Sequence, residues 1–196
     1  MSTWTNKAVV LVLLGGLVGC VPGSPSPSFG FSAPRAAPVL GGAVQVGLPR
    51  GYCIDRRAGQ EGSDTAVVVI GRCRNDLDTS PALLTTAIGP AGSAQVLAGG
   101  GQTLADYFTS APGRAALSRS GRASAVDIVQ AKSVGPAFVM RIRDGAVGEY
   151  WRGVLPVAGR LVTITVDVPA ETQADGEALL EQALQAMQQA NAAAAD

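Results

Sequence analysis

The segment GEYWRGVLPVAGRLVTITVDV, from Gly148 to Val168, restricts the fold more than any other part of the chain. Two runs rich in β-branched and aromatic residues are separated only by Ala158-Gly159. In the second run Val162, Ile164, Val166 and Val168 recur at period two and share one face of a strand. So short a connection cannot hold the crossover that parallel strands need, so the pair is antiparallel. After Pro169 the period changes and predicts a helix from about Ala174 to Asn191. Leu180, Leu184 and Met187 form its apolar stripe with Leu179 and Ala183 beside it, and Asp175 and Glu177 complement the positive helix end.

The same reading extends upstream. Val44, Val46 and Leu48 alternate onto one face, whereas Ala66 to Gly71 is apolar on both faces, as expected of a central strand. TTAIGPAGSAQVL reads as a hairpin turning at Gly89-Pro90-Ala91-Gly92, and Gly99-Gly100-Gly101 as a loop. Thr103-Leu104-Ala105-Asp106 has the form of a capped helix start, and Gly113 and Gly121 bound a second short helical stretch. Val126 and Ile128 share a strand face, as do Phe138, Met140 and Ile142, with Arg141 and Arg143 opposite. In Glu149-Tyr150-Trp151-Arg152, alternation directs Trp151 to the core and Tyr150 and Arg152 to the other side. The sum is one α+β domain over residues 39–196, a largely antiparallel sheet with packed helices that include one at the C-terminus.

The N-terminal residues are of another kind. Lys7 precedes an apolar run from Ala8 to Val21 that contains Gly15 and Gly16 and is followed by Pro22, the layout of a secretory signal peptide and too short to span a bilayer. Leu17-Val18-Gly19-Cys20 resembles a bacterial lipobox. That resemblance implies a signal peptide over residues 1–19 and a mature chain that begins at a lipidated Cys20, whose nucleophilic sulfur forms the thioether. Val21, where an aspartate would favour inner-membrane retention, points to the outer membrane. Residues 20–38 are dense in Pro, Ser, Gly and Ala without a period, the composition of an extended spacer. Phe29 and Phe31 are its only large apolar side chains.

Composition then removes function classes. The 15 Lys+Arg balance the 15 Asp+Glu, and losing Lys7 with the leader leaves the chain slightly acidic, without the basic excess that nucleic-acid binding needs. The chain has no histidine, which removes Ser-His-Asp and Cys-His catalysis and imidazole metal sites. It also lacks a P-loop, a G-x-S-x-G elbow and a C-x-x-C pair, and no cofactor is implied. With Cys20 consumed by lipid, Cys53 and Cys73 remain as an even pair in an oxidising compartment, which predicts a structural Cys53–Cys73 bridge.

The strand-and-turn VQVGLPRGYCID, the middle helical region, the antiparallel strands and GRLVTITVDV running into a terminal helix together resemble the Mog1/PsbP-type α/β sandwich. The likeness covers most of Val44 to Gln189 and rests on element order. That fold hosts unrelated accessory roles, so it implies architecture and no functional residue.

Three constellations hold candidate chemistry. Arg56 and Arg57 follow Cys53, while Arg72 and Arg74 flank Cys73, so the bridge would draw four guanidinium groups toward one anion-binding region. Asp76-Leu77-Asp78 with Asn75 and Thr79 offers oxygen donors but lacks the bidentate Glu of a calcium loop, and no metal site is expected. Asp127, Asp144 and Glu149 are the carboxylates a His-independent hydrolase or glycan-processing enzyme would use. The expected function is a non-catalytic binding or accessory module, held to the envelope membrane by lipid and facing the periplasm. Its partner would be an envelope protein, a glycan or a lipid, with the hydrolase as the alternative.

Overall fold

The computed structural model describes residues 35–192. The leader, Cys20 and the spacer up to residue 34 lie outside the described residues, as do the last four positions. Ten strands and three α-helices follow one another in the described part: β1 (Ala36–Val39), β2 (Val44–Gly47), β3 (Tyr52–Ile54), β4 (Gln60–Glu61), β5 (Ala66–Arg72), β6 (Leu83–Ile88), α1 (Gly100–Thr109), α2 (Ala111–Leu117), β7 (Val126–Val134), β8 (Ala137–Asp144), β9 (Gly148–Val157), β10 (Arg160–Asp167) and α3 (Gln173–Ala192). The eight strands from β3 onward make one sheet in the order β3-β5-β6-β10-β9-β8-β7, with β4 also on β5, while β1 and β2 form a separate hairpin. Every pairing is antiparallel. This is the α+β architecture expected from the sequence, C-terminal helix included.

The β9–β10 hairpin closes at Ala158 and Gly159, both at positive φ, with Val157 opposite Arg160. That is the backbone a two-residue turn needs to follow the right-handed strand twist. Alternation along β10 sends Val162, Ile164 and Val166 to one side of the sheet, where α3 packs on them with Leu180, Leu184 and Met187. The β1–β2 hairpin fills the rest of that side, and Val44 and Val46 are fully buried against α3. β2 approaches α3 so closely that a Cβ at Gly47 would collide with the Ala186 carbonyl. β1 starts at Ala36, within the stretch expected to be spacer, because Ala36 and Ala37 pair with Gly47 and Val46.

On the opposite side a smaller core joins Phe138, Met140 and Ile142 of β8 to Tyr150 and Val154 of β9, covered by Leu117, Leu104 and Phe108 of the two short helices. The buried Tyr150 hydroxyl donates to the Leu117 carbonyl at 2.7 Å and pins the end of α2 to the sheet. Trp151 points the other way into the main core, as alternation requires. Its indole N–H is buried without a hydrogen-bond partner among the described residues.

Several expectations are corrected. The chain does not return from Gly89–Gly92 as a strand: it enters a 3-10 turn at Ser93–Leu97, and the place beside β6 is taken by β10. Ser93 locks this route, its Oγ accepting the Leu161 N–H at 2.8 Å. The glycine run is the first turn of α1 rather than a loop, and Thr103 lies inside that helix, donating its hydroxyl to the Gly99 carbonyl instead of capping. The cap falls one helix later, where Ser110 Oγ accepts the Gly113 N–H at 3.2 Å. Gly113 thus sits within α2 rather than bounding it, packed so close to α1 that a Cβ would meet the Tyr107 carbonyl. β5 is buried on one face only, since its outward Val67 is 39% exposed.

Candidate functional site

A groove runs along the flank of α3, between the helix and the turn that joins β2 to β3. Its first part is a cavity of about 540 Å³ lined by Arg35, Arg50, Tyr52, Gln182, Gln185 and Gln189 among others. Its second, of about 560 Å³, is lined by Arg50, Tyr52, Asp76, Asp78, Asp175 and Gln182 among others. Arg50, Tyr52 and Gln182 border both, so the two are neighbouring parts of one depression. The helix contributes glutamines at spacings of three and four, which places their amides on one flank beside the buried leucine stripe.

The local sequence explains why the opposite wall is stiff. Pro49 accepts the Tyr52 N–H at 3.2 Å, and Gly51 sits at φ 81°, a conformation that favours glycine, which turns Arg50 outward at the bend. The Gly51 carbonyl accepts the Cys73 N–H at 2.9 Å, and the Cys53–Cys73 disulfide, Cα atoms 5.0 Å apart, joins β3 to the loop after β5. That loop is fixed in turn by Asp76, which accepts the Thr79 N–H at 3.0 Å, and by Tyr52, whose hydroxyl donates to the Ser80 carbonyl at 2.9 Å. Burial raises the Tyr52 pKa, which keeps its phenol a donor at neutral pH. Arg72 adds a hydrogen bond to the Thr79 carbonyl at 3.3 Å.

The groove is electrically divided. Arg35 and Arg50 are the ionisable side chains with cationic charge at the first end, whereas Asp76, Asp78 and Asp175 gather at the second. Arg50 stands between them and makes no hydrogen bond or ion pair with other described residues, so its guanidinium donors are available to a ligand. Amides, carboxylates and guanidinium groups in an open depression can hold a polar chain by several hydrogen bonds at once.

The four sequence-identified arginines do not converge. The register sets Tyr52 opposite Arg72, while Asp55, just past the other end of β3, donates to the Val69 carbonyl. Arg56 and Arg57 therefore stand about 13 Å along the sheet from Arg72 and Arg74, taking ~3.3 Å per strand residue. Of that stretch it is Cys73 that lines the α3 groove, while Arg72 donates to the Thr79 carbonyl. Arg56 belongs to a separate cavity of about 460 Å³ with Asp55, Gln60 and Glu61.

The three candidate carboxylates are dispersed. Asp144 is buried and accepts backbone N–H bonds from Arg119 and Ala146, both at 2.8 Å, which hold its pKa below the ordinary value. Glu149 pairs with Arg143 at 2.6 Å and Arg141 at 2.5 Å, and these guanidinium groups lower its pKa as well. Asp127 is exposed on β7 beside a cavity of about 310 Å³ that also borders Arg114 and Ser124. Sequence reasoning missed Arg35, Arg50 and the glutamines of α3. The glutamine spacing was visible, but its meaning depends on which chain segment packs beside the helix.

No protein-family profile matches the chain, and no curated protein matches it. Among solved structures, a mutant of protein Mog1 is similar over 80% of this chain and 93% of that one, at 14% identity and a TM-score of 0.44. The α+β assignment rests on the strand order and helices described above.

Proposed function

We propose that this chain is a lipid-anchored, non-catalytic binding or accessory module of the cell envelope, facing the periplasm from the outer membrane, and that its partner seats in the groove beside α3. The observation that carries the reading is the divided groove itself: an open depression with Arg50, unpaired among the described residues, shared by its two parts and amides along one wall. The disulfide supports an exported domain, since Cys53 and Cys73 are joined and Cys20 is left as the cysteine that ends the apolar run. The lipobox-like Leu17-Val18-Gly19-Cys20 supports anchoring through Cys20.

Binding is preferred to hydrolysis because of how the acids are used. A general acid has its pKa raised and faces its partner carboxylate across a substrate. Asp144 and Glu149 have theirs lowered and are held by backbone amides and arginines. For the anion-recognition role, Arg35 and Arg50 are the arginines that line the groove.

The test is affinity purification of the protein from detergent-solubilised envelopes, with intact-mass measurement of the same sample. The expected result is an acylated chain beginning at Cys20 and a co-purifying envelope component that Arg50→Glu loses. An unacylated chain would sink the anchor, and a component retained equally by Arg50→Glu and Gln185→Glu would sink the groove.

A further inference from the structure

The side of the sheet that carries α1 and α2 is only half covered. The two helices lie over β7, β8 and β9, and the outward residues of β5, β6 and β10 continue the same face beyond them. The register makes this strip from Val67 and Val69, Leu83 and Thr85, and Ala87 and Thr163, with Asp167 on the same face opposite Leu83. Val67, second in β5, is 39% exposed and Leu83, which opens β6, 47%.

Arg152 stands at the border between the covered and open halves, on β9 opposite Thr165. Its guanidinium lies 5.3 Å over the Tyr150 ring, and its Nε donates to Thr165 Oγ1 at 3.1 Å. The remaining guanidinium N–H groups have no hydrogen-bond partner among the described residues, although burial is sufficient to pull this arginine's pKa down. Of the acids near it, Asp144 accepts two backbone amides, and Asp167 lies beside Arg152 and 3.8 Å from Arg119 Nη2, one carboxylate shared between two guanidinium groups. The Arg119 side chain is 53% exposed and borders the same place. A guanidinium held by stacking on one side, with donors to spare beside an apolar strip, matches a carboxylate that arrives on an apolar segment.

We propose that this half-face is a second binding surface, which takes a short protein segment bearing a carboxylate between apolar residues, the carboxylate on Arg152 and Arg119 and the apolar side chains on Val69 and Leu83. A flat strand face suits such a segment better than an acyl chain, which needs concave walls. Three strands at ~4.8 Å and three outward residues along each give a patch on the order of 300 Å². That is far below the ~800 Å² per partner of a stable complex, so the segment binds weakly and reversibly, and a lasting dimer through this face is not expected.

The probe is a fluorescent Val-Leu-Asp-Val-Leu peptide with blocked ends, titrated with the full-length protein in detergent, beside the same peptide with Asn for Asp. The Asp peptide should bind at least about tenfold more tightly, the value of one charge-assisted hydrogen-bond pair. Arg152→Gln should erase that difference and Arg119→Gln should reduce it several-fold. Arg50→Gln, in the α3 groove, should leave it unchanged. Because Arg152 is partly buried, the exposed Arg119 keeps the test meaningful if Arg152→Gln does not fold. Equal binding of the two peptides overturns the proposal, as does an Asp preference that survives both arginine changes in folded protein. Binding of oleate micelles without peptide binding would reassign the face to lipid, and a dimer dissolved by Arg152→Gln would reassign it to a second copy.

Discussion

The two sides of the sheet are finished differently. One is closed by a twenty-residue helix and a hairpin, with Leu180, Met187, Val44 and Val46 at zero or near-zero exposure. The other is closed over three strands by two short helices, and its remaining strands face outward. The first side holds the fold together, and its flank forms a groove as a consequence of a helix packed against a stiff turn. The second has a smaller core and leaves both apolar and charged groups accessible. The comparison teaches that burial and availability for binding are divided between opposite faces of the same strands, residue by residue along β9 and β10.

The strongest test of that division is to truncate one leucine on each side. Leu180→Ala removes a side chain enclosed by β9, β10 and α3, and should cost about 2–5 kcal/mol in chemical denaturation. Leu117→Ala, at 3% exposure under α2, should fall in the lower half of that range. The short helices can settle into the space, which a helix wedged between hairpin and sheet cannot do. Equal losses would show the two cores to be equally rigid.

Next in size is the disulfide. Replacing Cys53 and Cys73 together by Ala should lower stability by roughly 3 kcal/mol, given the sequence separation of 20. Calorimetry should find the loss, and exchange of the Cys73 amide should quicken because its hydrogen bond to Gly51 is held by the same staple. This sharpens the contrast, since it loosens the α3 groove while leaving the opposite half-face in place.

The elements that could be read directly from sequence are those whose partners are close along the chain. β9 and β10 were evident from Val162, Ile164 and Val166 and from a two-residue turn, and α3 from Leu180, Leu184 and Met187. The pairing of Cys53 with Cys73 followed from counting. What could not be read depends on distant segments. Whether Gly89–Gly92 closes a hairpin is decided by β10, more than seventy positions later, taking the place beside β6. The arginine set divides because the register of β3 on β5 sends Arg56 and Arg72 to opposite ends of a short strand. The α3 groove joins Arg50, Asp76 and Gln182, and no local pattern links them.

A smaller effect is expected at Asp144, on the covered part of the second side. Its folded pKa lies below the ordinary value, so the unfolded chain takes up a proton first as the pH falls. Its contribution is therefore complete above the unfolded pKa of about 3.8 and is lost as pH falls through the folded one. Asp144→Asn should cost about 1–3 kcal/mol at pH 7, because a neutral amide oxygen replaces a charged acceptor of two backbone N–H groups. The difference from the parent should shrink in acid. A constant difference from pH 7 to pH 2 would mean the group acts by shape alone.

The smallest effect is at Asp167, at the edge of the open half-face, and its sign is opposite. Burial raises its pKa despite Arg119 and Arg152 nearby, so the folded state resists ionisation more than the unfolded chain does. Relative to a residue that does not titrate, Asp167 imposes no penalty below about pH 3.8 and a growing one as pH rises to the folded pKa, constant above it. Asp167→Asn should accordingly raise stability at pH 7, by well under about 1 kcal/mol because the side chain remains 33% exposed and solvent screens it. Melting curves at pH 7 and pH 3 check this: the variant should melt higher at the first and level with the parent at the second. A lower melting temperature at pH 7 would mean that the contact with Arg119 outweighs desolvation. The open half-face would then be held by its charges, as the closed face is held by its leucines.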